Sequence, residues 1–175
     1  MKTLVIVSHP YQSNSNTIKA LEQVALNTPD VTVRNLESLY GNNVTGFDIA
    51  EEQAECELAD RIIYLFPIHW FNLTPMLKAY LNEVWTYGWA FGPEGTALKG
   101  KEMLVVASAG ATEKTYSAQG LIQSTIQEVL TPMKASARYV GMSYQEPIAF
   151  YEAMGASSEQ MDSFKTKLMS VLNDK

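Results

Sequence analysis

The chain has 175 residues, 46% of them hydrophobic, and a net charge of −6. This length predicts a single domain over residues 1–175, and the negative charge argues against nucleic acid or anionic lipid as a partner. The one cysteine, Cys56, cannot form an internal disulfide. Because a signal-peptide pattern and an apolar run of about 18 residues are also lacking, we expect a cytoplasmic protein.

Apolar segments that alternate with helical patterns run along the whole chain. Strands are predicted over 4–7, 31–36, 61–66, 103–107 and near 143–150. Helices are predicted after the capping residues 13–16, over 49–58, from Thr74-Pro75, over 121–130 with an end before Pro132, and from the capping box of Ser157 and Gln160. This alternation predicts parallel strands joined by right-handed crossovers.

The loop after the first strand lacks the G-x-G-x-x-G motif of dinucleotide-binding folds. The pattern therefore favours the other common doubly wound arrangement, a flavodoxin-like α/β fold. We expect a five-stranded parallel sheet of order 2-1-3-4-5, covered by helices on both faces in three α/β/α layers.

That first loop is polar and precedes a predicted helix. It holds His9 and then Ser13, Asn14, Ser15 and Asn16. Backbone N–H groups at a helix amino terminus, together with hydroxyl and amide donors, suit a phosphate monoester. Ordinary helix capping, with His9 in a turn, is the alternative.

The loop after the third strand is aromatic. It reads Pro67, Ile68, His69, Trp70 and Phe71. Ring faces and backbone amides together suit a planar heterocycle with polar edges, and core packing is the alternative.

Small residues follow the fourth strand, namely Ser108, Ala109, Gly110 and Ala111. They would let the backbone come close to a ligand, although a plain loop would look the same.

A further segment, 85–92, alternates aromatic residues with glycine and predicts a lid, a subunit contact or a plug in the core.

Three of these loops follow strands one, three and four, whose carboxyl ends meet at the switch point of a flavodoxin-like sheet. One site could therefore hold a phosphate at the first loop and a flat ring at the other two, which is the outline of FMN.

Metal-binding and hydrolase motifs are absent: the two histidines lack zinc-ligand spacing, and no G-x-S-x-G or Walker motif occurs. We expect no metal site.

The order and spacing of several segments resemble the flavodoxin-like NAD(P)H dehydrogenase (quinone) family. The resemblance extends to its bacterial branch of ancillary oxidoreductases of Kef-type potassium efflux systems. It rests on His9-Pro10 with Ser13 and Asn16, Asp48-Ile49, Glu52-Gln53, Ala59-Asp60, Pro67 to Phe71, Pro75 to Lys78, Gly88 to Gly92 and Gly95 to Lys101.

The resemblance implies a homodimer with flavin at the subunit interface, FMN rather than FAD in the first instance. It implies that His9 and residues 13–16 surround the flavin phosphate, and that 68–71 and 108–111 frame the isoalloxazine. NADH or NADPH would be the electron donor, and a quinone or similar small molecule the acceptor.

Two departures from the family pattern stand out. Ser108-Ala109-Gly110-Ala111 replaces the frequent Thr-Thr-Gly-Gly, and Ile122 stands where better-studied quinone reductases have a histidine. Tyr116 matches the family's tyrosine and is expected to donate toward the acceptor oxygen as a catalytic residue. A redox-sensing subunit docked on a membrane antiporter is an alternative function, and a flavodoxin-type electron carrier is another.

Overall fold

The computed structural model describes residues 1–174, apart from the side chain of Gln12. The strands are β1 (Thr3–Val7), β2 (Val31–Asn35), β3 (Arg61–Pro67), β4 (Glu102–Ser108), β5 (Ser143–Tyr144) and β6 (Ile148–Phe150). The helices are α1 (Asn16–Leu26), α2 (Leu36–Tyr40), α3 (Ile49–Leu58), α4 (Pro75–Val84), α5 (Ile126–Val129), α6 (Thr131–Tyr139) and α7 (Ser158–Asn173).

All strands pair in parallel in one sheet of order β2-β1-β3-β4-β5, which confirms the predicted flavodoxin-like arrangement. The fifth position is divided, because β5 and β6 both pair with β4. Val7 pairs with Leu65, Pro67 with Ser108, and Ser108 with Phe150. The carboxyl ends of β1, β3, β4 and β6 therefore lie side by side.

The sheet is buried on both faces, which explains its continuous apolar strands. In β1, Leu4 and Ile6 join one core cluster with α3 and α4, while Val5 and Val7 join the other with α1 and α7. Successive side chains of a strand point to opposite faces, so each face needs its own apolar residues. Full burial of each such side chain contributes roughly 1.5–3 kcal/mol.

One buried ion pair links the edge of the sheet to α3. Glu52 is 0% exposed, and its Oε1 accepts hydrogen bonds from Arg34 Nη2 and the Tyr40 hydroxyl, each at 2.6 Å. Burial and the hydrogen bond to Glu52 raise the pKa of Tyr40 to about 12. This network holds β2 and α2 against α3.

The helix predicted over 121–130 is wrong in its first half and in its end. Residues 121–123 form a turn and a bend, residues 124–125 have no regular structure, α5 covers only Ile126–Val129, and α6 begins at Thr131. Pro132 lies in the first turn of α6, where its missing N–H costs no hydrogen bond. The proline therefore opens a helix here instead of closing one.

A short helix, α2, follows β2 where the strand was predicted to continue to Leu36. The Asn35 side chain accepts a hydrogen bond from Ser38 N at 3.0 Å and caps this helix. Among the helices of residues 1–174, none is long and apolar enough to cross a membrane.

Candidate active site

A cavity of about 350 Å³ opens where β1, β3, β4 and β6 end. It is lined by His9, Tyr11, Asn14, Ser15, Asn16, Thr17, Pro67, Ile68, His69, Ser108, Gly110, Ala153 and Met154. Its volume falls in the range of small-molecule sites, and its position is the one where open α/β sheets bind ligands.

The amino terminus of α1 forms one wall of the cavity. Ser15 caps the helix, and its hydroxyl oxygen accepts from Ile18 N at 3.2 Å. The N–H groups of Asn16 and Thr17 belong to the first turn, which has no intrahelical acceptors for them. This wall therefore presents unpaired amides and the positive end of the helix dipole, a combination that suits an anion.

Two imidazoles stand next to this wall. The rings of His9 and His69 lie 6.0 Å apart, edge to face, and the ring of Tyr11 lies 6.1 Å from His69. Tyr11 N donates to His9 Nδ1 at 3.0 Å, so the neutral His9 ring carries its proton on Nε2.

Burial lowers the pKa of both histidines. For His9 the neighbouring His69 lowers the pKa further. Both rings are therefore neutral near pH 7, and each offers one N–H donor.

The aromatic loop after β3 forms a tight turn. His69 N donates to Asn72 O at 3.2 Å, and Asn72 N donates to His69 O at 3.0 Å. The two central residues, Trp70 and Phe71, have φ of 47° and 60°. Positive φ at both central positions is typical of a type I′ turn, which favours Asn-Gly, so two aromatic residues here store backbone strain.

This turn places its rings on the outside. Trp70 is 93% exposed and Phe71 is 43% exposed, and neither lines the cavity of the single chain. Backbone strain of this kind persists where the surrounding structure and function require it. Such an exposed aromatic pair is available to a ligand or to another chain.

The loop after β4 is tied to the loop after β6. Ala109 N donates to Phe150 O at 2.9 Å, and Ala153 N donates to Ala109 O at 3.0 Å. A Cβ on Gly110 would lie 3.3 Å from Met154 Sδ, so glycine allows the methionine to approach closely. Thr17 Oγ1 donates to Ala153 O at 2.8 Å and joins this wall to α1.

Three aromatic rings outside the cavity lining contact one another. The ring of Tyr116 lies 6.0 Å from Phe71 and 5.7 Å from Tyr151. Burial raises the pKa of Tyr116 and of Tyr151, and the charge of Glu113 raises the pKa of Tyr151 further. Both phenols are therefore neutral hydrogen-bond donors at neutral pH.

Most of the residues predicted to bind a cofactor come together. The cavity is lined by His9, Asn14, Ser15, Asn16, Pro67, Ile68, His69, Ser108 and Gly110. Outside its lining lie Ser13, Trp70, Phe71, Ala109, Ala111 and Tyr116, and the functional roles of all fifteen residues stay predictions.

Four lining residues were not predicted: Tyr11, Thr17, Ala153 and Met154. Ala153 and Met154 follow β6, whose carboxyl end lies beside that of β4. Ligands bind at the carboxyl ends of parallel strands, and this rule applies to the last strand as well. It is the signal in the sequence that points to Ala153 and Met154.

The segment 85–92 lies away from this cavity and serves mainly as a plug in the core. Trp85 and Ala90 are buried, and Trp89 Nε1 donates to Glu57 Oε1 at 2.6 Å. Tyr87 is the exposed aromatic ring of the segment.

Within residues 1–174, no group of three or more histidine, cysteine or acidic side chains is placed to hold a metal ion.

Comparison with known proteins gives relatives along nearly the whole chain. YdeQ of Bacillus subtilis strain 168, named as an uncharacterized NAD(P)H oxidoreductase, is 40% identical over 161 residues, covering 92% of this chain and 81% of its own length. General stress protein 14 of Treponema denticola, solved in complex with FMN, is 34% identical with a TM-score of 0.92, covering 99% of this chain and 98% of its own.

Two further solved structures have different names. An NADPH-quinone reductase of P. pentosaceus is 28% identical with a TM-score of 0.90, covering 100% of this chain and 99% of its own. A protein named as a tryptophan halogenase of Streptomycin violaceusniger is 35% identical with a TM-score of 0.94, covering 98% and 99%. Since that name specifies another reaction, fold alone does not define the chemistry.

The profile of a family described as having the flavodoxin-like fold matches residues 1–172. With the sheet order, the strand-end cavity and relatives above 30% identity, the chain belongs to this flavodoxin-like family.

Proposed function

We propose that this protein is an FMN-dependent NAD(P)H oxidoreductase that reduces a quinone or a similar small acceptor. The observation that carries the proposal is the cavity itself. A helix terminus suited to an anion lines it, and a strained aromatic turn follows His69 of its lining at the same edge of the sheet. The names of three relatives support the proposal: an oxidoreductase, a quinone reductase and a protein solved in complex with FMN.

The first wall fits a phosphate group. The amides of Asn16 and Thr17, the Ser15 hydroxyl hydrogen and the Nε2–H of His9 are donors that face no competing carboxylate in the cavity lining. These residues would hold the FMN phosphate. FAD is the alternative, since the adenosine part of FAD would extend beyond the same phosphate.

The opposite walls fit a flat ring with polar edges. The amides of Trp70, Phe71 and Gly110 have no hydrogen-bond partner within residues 1–174, so they are available to ring oxygens and nitrogens. Pro67 and Ile68 offer an apolar surface beside them. These residues, with Ser108, Ala109 and Ala111, would hold the isoalloxazine.

FMN, when bound, would supply the ring that accepts and passes on the hydride. The chain's own contribution is to orient the two substrates, to exclude water and to place donors. Tyr116 is proposed as a catalytic residue whose neutral hydroxyl donates to the acceptor oxygen as negative charge develops there. Phe71, in edge contact with Tyr116, would shield that hydrogen bond from solvent.

A homodimer is part of the proposal. The exposed ring of Trp70 and the side chain of Met154, which is 91% exposed, lie at or next to the cavity. Apolar side chains presented at a binding site in this way are typical of surfaces that another chain covers. A molar mass of one chain in solution at micromolar concentration would count against the dimer.

The membrane antiporter as a partner, and with it the Kef-type branch, stays a prediction. Co-purification with a transporter would support it, and a two-electron turnover with quinone in the absence of any transporter would make the partner unnecessary for activity. Efficient one-electron transfer without quinone turnover would instead favour the electron-carrier alternative.

The decisive experiment is to purify the protein, identify the flavin that it releases, and measure NADH and NADPH oxidation with a panel of quinones. We expect FMN and quinone-dependent turnover. Asn16→Ala, which removes the side-chain amide of a cavity-lining residue, should weaken FMN binding. Asn82→Ala, at an exposed position whose side chain accepts from Lys78 Nζ, should not. A protein that takes up neither FMN nor FAD would falsify the proposal.

A further inference from the structure

We infer that the hydroxyls of Tyr116 and Tyr151 together form a two-donor site for the acceptor oxygen, which makes Tyr151 a further catalytic residue. The inference rests on the proposed function and deepens it. Its starting point is the contact between the two phenol rings, whose centroids lie 5.7 Å apart at a tilt of 45°.

The backbone around Tyr151 is held firmly. Phe150 O accepts from Ala109 N at 2.9 Å, and Glu152 N donates to Ala111 O at 3.1 Å. Tyr151 is therefore clamped on both sides to the loop after β4. Two residues later, Ala153 reaches the cavity wall. A side chain fixed in this way is suited to positioning a donor with little reorganisation.

The two hydroxyls are free although the rings are covered. Tyr116 is only 7% exposed and Tyr151 is half-buried. Within the described chain neither hydroxyl has a hydrogen-bond partner, and neither belongs to the buried polar atoms that lack one. Both hydroxyls are therefore open to solvent or to a ligand.

Other tyrosines of the molecule show the contrast. The hydroxyls of Tyr64 and Tyr144 are sealed in the interior without a hydrogen-bond partner in the described chain. Those rings pack in the core, and their hydroxyls are not accessible to a ligand. The Tyr116–Tyr151 pair combines apolar ring packing with two hydroxyls that are not sealed in the interior, which is the arrangement that a polar substrate edge needs.

The proton balance of quinone reduction provides a role for each of the two phenols. Reduction of a quinone by NAD(P)H transfers a hydride, and one further proton is needed to make the hydroquinone. The oxygen that gains negative charge takes this proton from one phenol, forming an O–H bond, and the phenolate is reprotonated from solvent. The other phenol donates a hydrogen bond to the same oxygen and stabilises its charge.

Both phenols enter this step in the protonated form. Burial keeps the pKa of both phenols above the ordinary value, so both carry their protons at neutral pH. Glu113, the charged group that acts on Tyr151, raises the pKa of Tyr151 as well. Ile122 packs on the same apolar cluster and offers no side-chain donor of its own.

The test compares Tyr151→Phe, Tyr116→Phe and the double variant with Tyr139→Phe as the matched control. Tyr139 is 76% exposed, and its ring contacts Phe91, which does not contact Tyr116 or Tyr151 within the described residues. Each FMN-loaded protein is assayed with NAD(P)H and either a quinone or ferricyanide, which accepts single electrons and needs no proton. The pH profile of quinone reduction is measured in parallel.

We expect Tyr151→Phe to lower kcat with quinone by about tenfold or more, with ferricyanide reduction retained. The double variant should lose much less than the product of the two single losses, because the two donors act on one oxygen. The alkaline decline of quinone reduction should change in Tyr151→Phe and be unaltered in Tyr139→Phe.

Equal quinone rates for Tyr151→Phe and wild type, or equal losses with both acceptors, would overturn the inference and leave the proposed function intact. A wild-type protein that reduces neither acceptor would overturn the proposed function and the inference with it.

Discussion

Ser8 donates its hydroxyl hydrogen to Glu37, with 2.8 Å between Ser8 Oγ and Glu37 Oε1. The same Ser8 hydroxyl oxygen is in hydrogen-bond contact with Thr74 Oγ1, which also caps α4. Burial raises the pKa of Glu37, although the hydrogen bond from Ser8 favours the ionised form. One fully buried serine thus joins the end of β1, helix α2 and the start of α4 behind the cavity.

Ser8→Ala should therefore destabilise the protein by about 1–3 kcal/mol, because it leaves Glu37 without this donor in a buried position. Urea unfolding followed by circular dichroism measures the loss. Ser170→Ala is the matched control, since that exposed hydroxyl donates only to Lys167 O and its removal should cost little. Equal unfolding midpoints for Ser8→Ala and Ser170→Ala would show that water replaces Ser8 as the hydrogen-bond donor to the Glu37 carboxyl.

Replacing the strained turn by the residues that its backbone favours should separate stability from activity. We expect Trp70→Asn with Phe71→Gly to raise the free energy of unfolding by about 1–2 kcal/mol, because both residues have positive φ. The same change should abolish quinone reduction. Phe71→Ala, which keeps a side chain at positive φ, should show no gain in stability. If the Asn-Gly variant is less stable than wild type, the turn is not strained.

Arg34→Met should be among the most damaging single changes. It leaves the Glu52 carboxylate buried with the Tyr40 hydroxyl as its remaining side-chain donor, and a loss of about 3–5 kcal/mol is expected. Arg138→Met, at an exposed position of α6, should change the unfolding midpoint only slightly. Addition of Glu52→Leu to Arg34→Met should recover part of the loss, and an additive double variant would contradict the coupling.

Stability should fall as the pH is lowered through the histidine range. His9 and His69 have folded pKa values below the ordinary 6.5, so the unfolded chain binds more protons in this window. The free energy of unfolding should therefore decrease from about pH 7 to about pH 5.5. Glu37 has the opposite sign, since its raised pKa favours the folded state in acid. The contribution of the histidines is therefore taken as the difference between the wild type and the histidine variants.

His9→Asn and His69→Asn should each flatten this pH dependence. Thermal unfolding of the flavin-free protein at several pH values measures the slope. A wild-type slope that is retained in the double variant would assign the effect to other groups.

The strands and their order could be predicted because each strand of a doubly covered sheet needs apolar residues on both faces. Leu4 to Val7 and Ile62 to Phe66 show this as unbroken apolar runs. Val31 to Asn35, at the edge of the sheet, is only partly buried, and polar residues interrupt its apolar run. The last strand was predicted as one segment, yet it divides into β5 and β6 around residues 145–147.

Loops were harder to predict, because composition does not report backbone angles. Pro132 is equally compatible with the end and the start of a helix, and only the N-terminal position in α6 decides between them. The aromatic residues after β3 indicated a binding surface, but nothing in their order indicated that Trp70 would have positive φ and lie outside. Met154 was not predicted as a cavity residue, because its position depends on the path of the chain after β6.

The hydrogen bond from Thr17 to Ala153 O joins residues that are 136 positions apart in the chain. The cavity wall at α1 therefore exists only once the first and the last strands of the sheet have come together. The complete pocket depends on long-range folding, whereas the aromatic turn depends on residues that are neighbours in the chain.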